Sequence, residues 1–287
     1  MKTPEKVEYM VFPRMLALSE VLWSQAKDKN FEDFSHRLSA QFPRLDKQNV
    51  SYRIPEPAGL HNIVLGNDES AKIELSENLP GAKVYYTTDG TTPDEKASLY
   101  EKPFKLDVKD GDAVELKTVV VAPNRRKSSI YTATLIRKPM LQPVEVADKK
   151  AGVTYEFAVP SPDPSSKSDP VTGETKAIGF QQFAKTAELK QPFTVTFDGY
   201  FNAPSDGIYE FQTDSIWDAT VMLGGEKIID FTGTKDRAVK SAIVPLKAGL
   251  HKISIQYRHH GGDPVFRVRW GIKGQGLRAI GGGELFH

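Results

Sequence analysis

The chain contains no cysteine, which removes disulfides, zinc–thiolate sites and thiol nucleophiles together. No apolar run is long enough to span a bilayer, and no signal peptide stands at Met1. An excess of charge of one sign is also missing. The 38 basic and 37 acidic residues are interspersed and leave a net charge of +1, so neither nucleic acid nor an anionic membrane surface is expected as a partner. The basic run Asn124-Arg125-Arg126-Lys127 reads as a solvated turn. A chain of 287 residues holds about two domains of ordinary size.

The first stretch, Thr3 to Arg53, reads as amphipathic helices that have no core of their own. Thr3 is suited to an N-cap and Pro4 to the first helical position, after which Val11, Met15, Leu18 and Leu22 fall on one face. Pro13 is expected to kink or split that helix. Asn30 offers a second N-cap, Phe31, Phe34, Leu38, Phe42 and Leu45 form a second stripe, and Pro43 is expected to mark its end. Helices this apolar cover something larger.

The run from Glu8 to Trp23, containing Phe12-Pro13-Arg14 and Ala17-Leu18-Ser19-Glu20-Val21-Leu22-Trp23, is followed by Phe31-Glu32-Asp33-Phe34 and Val50-Ser51-Tyr52-Arg53. It resembles the end of the catalytic barrel of the β-N-acetylhexosaminidases, the chitobiase-like glycoside hydrolases. The resemblance implies that the helices are the remnant of a (β/α)8 barrel whose catalytic residues lie upstream of Met1.

Beyond Pro57 the period changes from helical to two-residue alternation. Lys72–Leu75, Lys83–Thr88, Glu115–Val121 and Tyr131–Leu135, punctuated by Pro80-Gly81, Asp89-Gly90 and Asp110-Gly111, predict a small antiparallel β-sandwich. The segment from Val84 to Pro93 with Ser98-Leu99-Tyr100 looks like the immunoglobulin-like domain that follows the barrel in bacterial hexosaminidases. A stretch rich in proline and serine near 160–170 reads as a linker or long surface loop.

The last third of the chain again alternates, in Phe193–Phe197, His251–Tyr257 and Phe266–Trp270. Asp206-Gly207-Ile208-Tyr209-Glu210-Phe211, Leu223-Gly224-Gly225-Glu226, Leu246-Lys247-Ala248-Gly249 and Val268-Arg269-Trp270 occur in an order that resembles the PA-fourteen domain, the β-sandwich module named after anthrax protective antigen. Gly152–Phe157 would open it. Some members of that family bind sugar through calcium held by adjacent aspartates in the loop after the Tyr-x-Phe strand. Here that loop reads Thr213-Asp214-Ser215-Ile216-Trp217-Asp218 and lacks the adjacent pair. Asp214, Trp217 and Asp218 are therefore the expected carbohydrate contacts, with Asp214 and Asp218 the only acidic residues there for a calcium ion. No other cofactor is expected.

His259-His260-Gly261-Gly262-Asp263-Pro264 imitates the catalytic His-x-Gly-Gly-Asp-Glu signature of the hexosaminidases, in which the Asp orients the substrate acetamide and the Glu protonates the leaving oxygen. Proline cannot donate that proton, so the segment reads as a Gly-Gly hairpin with incidental histidines. The expected whole is mainly β: a helical barrel remnant over residues 1–56, an immunoglobulin-like sandwich over 57–139 and a PA-fourteen-like sandwich over 140–287. It carries no catalytic residue of its own. The resemblance implies a parent enzyme that removes terminal N-acetylhexosamine from glycans in the periplasm or at the cell surface. The implied partners are a glycan and the barrel of the same polypeptide, with self-association through the barrel-facing helix if that face stays bare. The alternative is a region that only braces the barrel or mediates subunit contact.

Overall fold

The computed structural model describes residues 3–66, 70–160, 169–183 and 187–287. Most of the expected proline- and serine-rich loop, 161–168, lies outside the described residues. The chain is mainly β and separates into two compact units, Met1–Ile63 with Glu69–Arg137, and Val64–Asp68 with Lys138–His287.

The first unit opens with four short helices, α1 (Pro4–Val11), α2 (Arg14–Trp23), α3 (Phe31–Ser39) and α4 (Phe42–Lys47). Thr3 caps α1 by accepting from the Lys6 N–H, and Asn30 caps α3 by accepting from Glu32 and Asp33. Phe12-Pro13 splits α1 from α2, as a residue without an N–H must. Pro43 departs from expectation. It does not end the second apolar helix but stands in the first turn of α4, where its missing N–H has no intrahelical partner to lose. The single stripe is thereby broken in two: Phe42 and Leu45 are buried, while Phe31 is 82% exposed.

The rest of the unit is built from β2 (Ala71–Ile73), β3 (Lys83–Thr87), β4 (Ser98–Leu99), β5 (Phe104–Leu106), β6 (Ala113–Val121) and β7 (Tyr131–Arg137), with β1 (Ile63–Leu65) at the point of division. Antiparallel pairing runs β7-β6-β3-β4, and β2 pairs with β5. Val84, Leu116, Ala133 and Leu135 are buried on the inward face. Gly90 and Gly111 take positive φ at the expected turns.

The segment after α4 is fastened to this unit by polar contacts. Arg126 donates to the carbonyls of Val50 (3.3 Å) and Tyr52 (2.8 Å), and its guanidinium lies 4.6 Å from the Tyr52 ring centroid. The Tyr131 hydroxyl donates to the Ile54 carbonyl at 2.6 Å. The basic turn at 124–127 is therefore a clamp at Arg126, not a wholly solvated loop. By contrast α2 and α3 meet through Arg37, which forks onto Glu20 at 3.1 and 2.8 Å, and no residue of either helix is buried.

The second unit is a sandwich of β8 (Val153–Ala158), β9 (Val171–Thr175), β10 (Phe193–Ala203), β11 (Gly207–Ser215), β12 (Asp218–Leu223), β13 (Glu226–Asp230), β14 (Ala238–Leu246), β15 (Gly249–His259), β16 (Phe266–Ile272), β17 (Arg278–Ala279) and β18 (Leu285–Phe286). One sheet runs β13-β12-β15-β10-β8-β9, with β18 also on β10, and the other runs β14-β11-β16-β17. Alternate residues of each strand enter the space between them, including Phe193, Phe197 and Phe201 of β10 and Tyr209 and Phe211 of β11. Trp270 meets Phe201 edge-on at 4.8 Å and stacks with Tyr209 at 5.9 Å. At Gly199 a Cβ would lie 2.5 Å from the Phe286 carbonyl oxygen, so only glycine lets β18 cross there.

Two substitutions test the division of labour among the helices. Phe42→Ala is expected to cost about 3–5 kcal/mol in denaturant unfolding of the first unit, the usual loss for an emptied aromatic site. Phe31→Ser is expected to leave the midpoint unchanged, and equal losses at the two positions would show that α3 is docked after all.

Candidate functional site

The side chains singled out in the sequence sit where β11 leaves its sheet and the chain crosses to β12. Asp214 faces outward on β11, since Thr213 and Ser215 point into the core. Its carboxylate is not free. Arg237 Nε donates to Oδ1 at 2.8 Å and Nη2 to Oδ2 at 2.6 Å, a two-pronged pair in which the Asp214 side chain is 11% exposed. The Arg237 hydrogen bonds hold the Asp214 carboxyl below its ordinary range, against the opposing effect of burial, with Arg267 and Arg269 adding to the depression.

Three residues on, Trp217 takes φ = +75°. A bulky aromatic in the left-handed region carries strain of about 1–3 kcal/mol, which surrounding contacts must offset. The indole Nε1–H donates to the Gly261 carbonyl at 3.2 Å, and the ring lies 5.2 Å from that of His260. Ser215 Oγ donates to the Trp217 carbonyl at 3.4 Å. Trp217 is half-buried and packs against the sandwich core.

Asp218 opens β12 and takes two partners. The Gly233 N–H donates to Oδ1 at 2.7 Å, and His260 Nε2 lies 3.0 Å from Oδ2. The structure thus gathers Trp217, Asp218 and His260 with the backbone of Gly233 and Gly261, and turns Asp214 toward Arg237. Among the described residues no group of three metal-ligating side chains occurs. Calcium takes six to eight oxygen ligands, whereas both Asp214 oxygens here are held by a guanidinium and both Asp218 oxygens by donors. The arrangement does not fit the ion.

The His-His-Gly-Gly segment lies between β15 and β16, but these strands belong to different sheets, so it is a crossover from one sheet to the other and not the expected hairpin, and its histidines are not incidental. His259 is buried; its Nε2–H donates to the Gly262 carbonyl at 3.1 Å, which leaves Nδ1 to accept from the Tyr257 hydroxyl at 3.1 Å. Burial lowers the His259 pKa, partly offset by the Gly262 bond. His259 thereby pins the loop that carries His260 and Gly261 to Trp217. Sequence reasoning missed Arg237, His260 and the Gly233 N–H. No local signal marks Arg237, which lies in the connection before β14; the His260 signal was present but adjacent to a stronger decoy.

Residues 149–282 match the PA14 domain model and residues 73–135 the Fn3 associated model. The chain is 27% identical over 293 residues to a beta-hexosaminidase of Porphyromonas gingivalis, covering 95% of this chain and 36% of that protein. It therefore spans about a third of the length of that curated relative. Among solved structures, the PA14 domain of the MpAFP antifreeze protein aligns with TM-score 0.39 and 14% identity, over 50% of this chain and 94% of that one. The Epithelial Adhesin 9 A domain of Candida glabrata, solved with Galβ1-3GlcNAc, aligns with TM-score 0.42 and 13% identity, over 52% and 95%. The hexosaminidase and PA-fourteen resemblances read in the sequence agree with the matches to the relative and to the PA14 model.

His259 gives the site a pH signature. Its folded pKa is depressed below the ordinary 6.5, so as pH falls through about 6.5 the unfolded chain binds a proton that the folded chain refuses, and stability declines until the folded pKa is passed. Asp214, also depressed, acts in a separate and lower window, losing its contribution as pH falls below the usual carboxylate range. Thermal melts at pH 7.5 and 5.0 should differ less for His259→Gln than for the unaltered chain. An equal difference would show that His259 is protonated without cost.

Proposed function

We propose that the chain is the non-catalytic carboxyl-terminal region of an exo-β-N-acetylhexosaminidase, arranged as a helical segment over 1–56, an immunoglobulin-like sandwich over 57–139 and a carbohydrate-binding PA-fourteen-type sandwich over 140–287. The parent enzyme acts on terminal N-acetylhexosamine in the periplasm or at the cell surface, and its acid and acetamide-orienting carboxylates lie upstream. Pro264 in place of a proton-donating Glu agrees with an absence of chemistry in this chain.

One observation carries the binding role. In the segment that matches the PA14 model, Trp217 is half-buried and held in a strained backbone conformation, beside the polar pair Asp218 and His260. An aromatic ring offers a flat apolar surface to the C–H face of a sugar, and the remaining lone pairs of the Asp218 carboxylate and the His260 Nδ1 offer acceptors to its hydroxyls. Asp214 contributes by fixing Arg237. Calorimetry with terminal N-acetylhexosamine oligosaccharides is expected to show weak binding that survives a chelator and drops about tenfold in Trp217→Ala, the loss of one good contact. No binding with or without calcium would leave this unit a bracing role alone.

A second reading, for the helices, rests on their bare apolar face. Leu22 is 72% and Trp23 90% exposed, with Phe31 beside them in the chain's order of helices. A recess of about 620 Å³ between α2 and α3 is lined by Leu16, Trp23, Phe34 and Leu38. An apolar patch of this kind marks a contact surface, and in the parent its cover is the barrel of the same polypeptide. Without that cover, sedimentation velocity should show concentration-dependent self-association. Leu22→Glu with Trp23→Glu should abolish it, and a chain that stays monomeric at high concentration would refute the assignment.

A further inference from the structure

The outer face of the four-stranded sheet carries more positive charge than its one buried carboxylate offsets. Arg267 of β16 stands opposite Asp214 of β11 in the antiparallel register, and Arg269 stands opposite Gln212. Residues two apart on a strand share a face at a spacing of about 6.6 Å, and neighbouring strands lie about 4.8 Å apart. Both arginines are exposed and, among the described residues, neither has an ion pair. Arg237 reaches the same carboxylate from the connection before β14. Three guanidinium groups thus lie about the Asp214 carboxylate, whose two oxygens are already taken by one of them, while Glu210, opposite Gly271, is the other carboxylate on that face of β11.

Two further features make this a binding surface instead of a solvated charge run. The Gln212 side-chain amide and the Ser241 hydroxyl lie in the same row of the sheet, 3.4 Å apart, and present polar groups beside Arg269. Along the β16 flank a recess of about 660 Å³ is lined by Arg267 and Arg269 together with the apolar side chains of Ile178, Phe180 and Leu189. A hole with apolar walls and unpaired guanidinium groups at its rim suits a ring that bears an anion. Guanidinium forks match carboxylate and sulfate oxygens two at a time. The surface also meets the Trp217 site: Asp214 and Arg267 are paired one step from the strand ends at Ser215 and Phe266, where the chain turns out to Trp217.

We propose that the Arg237–Arg267–Arg269 face extends the Trp217 site and selects saccharides that carry a carboxylate or a sulfate over their neutral parents. This inference rests on the reading of the second unit as a sugar binder, and names the class of sugar. In it Asp214 has a positioning role: it fixes Arg237 and leaves Arg267 and Arg269 to meet the ligand anion.

Calorimetry on the whole chain tests this with matched probes, sialyllactose against lactose and 6-sulfo-N-acetyllactosamine against N-acetyllactosamine. Each acidic sugar is expected to bind about tenfold or more tightly than its neutral parent, with the advantage shrinking as salt is raised. Arg267→Gln with Arg269→Gln should erase that advantage and leave neutral binding unchanged. Trp217→Ala should weaken both members of each pair. Lys252→Gln, which removes one positive charge from the other sheet, should change neither, and melts of every variant confirm that it folds. Preference for the carboxylated probe alone or the sulfated probe alone would support the site and identify its anion. Equal binding of acidic and neutral sugars, or equal losses in Lys252→Gln and the double arginine variant, would overturn the proposal while leaving sugar binding intact. If none of the four probes bound, the proposal would be overturned, whereas the sugar-binding reading falls only if terminal N-acetylhexosamine oligosaccharides also fail to bind.

Discussion

The second unit depends on one long strand pair. β10 and β15 are matched without a break from Phe193 opposite His259 to Ala203 opposite Gly249. Their inward residues Val195, Phe197, Ile253, Ile255 and Tyr257 are all but inaccessible to solvent. A slip of one residue would turn every one of these side chains outward, so the hydrophobic pattern fixes the register far more strongly than the hydrogen bonds do. That register decides where the loop ends fall. It terminates β15 at His259, where the chain leaves that sheet and crosses to β16 of the other, and it delivers His260 and Gly261 to Trp217 and Asp218. The same strand orders the other edge, because β12 pairs with β15 from Asp218 opposite Arg258 to Leu223 opposite Ile253. The polar cluster is thus assembled by the core and does not need a metal ion to hold it together.

The first unit obeys a different constraint. Its helices are too short to be stable alone in water, yet only α4 buries its apolar residues. What holds that end is a set of directed contacts: Arg126 on two carbonyls, Tyr131 on a third, and a bond from the Asn124 amide to Asp46 at 2.8 Å. A buried tyrosine hydroxyl or guanidinium stem does its work only if the carbonyls it meets stay in place, so these contacts fix the connector and α4 together. α2 and α3 lack any equivalent. They are joined by the exposed Arg37–Glu20 pair, and exposed pairs of this kind contribute little.

Much of this was legible in the residues because the relevant physics is local. Two-residue alternation predicted β3, β6, β7, β10, β15 and β16, and side-chain oxygens at Thr3 and Asn30 predicted two helix starts. Misreadings arose where the deciding partner lies far along the chain. Pro43 looks like a stop signal unless the break at Ala40-Gln41 is known, after which it is a good first-turn residue. Arg126 looks solvated unless Val50 and Tyr52 return to it. At the site, Asp214, Trp217 and Asp218 were identifiable as a group from their order after the Tyr209-Glu210-Phe211 strand, but their chemistry was not. The separation of the two carboxylates follows from Arg237, 23 residues further on, and from Gly233, neither of which belongs to a periodic segment.

The two acidic residues illustrate how the backbone divides what sequence proximity joins. Asp214 is still within a regular strand, so its direction is set by alternation and its carboxylate must lie on the outer sheet face. Trp217 leaves the right-handed region altogether, and that single turn reverses the chain so that Asp218 begins a strand of the opposite sheet. A carboxylate on each sheet then requires its own counter-charge or donor, because a partly buried anion left bare is costly. Arg237 serves the first, and the Gly233 N–H with His260 serves the second. Bringing both carboxylates to one cation would demand breaking either the β11 register or the Trp217 turn. The core aromatic residues forbid the former, and the Trp217–Gly261 bond with the His260 ring opposes the latter, so the separation of Asp214 from Asp218 is a property of the fold and not of a mobile loop.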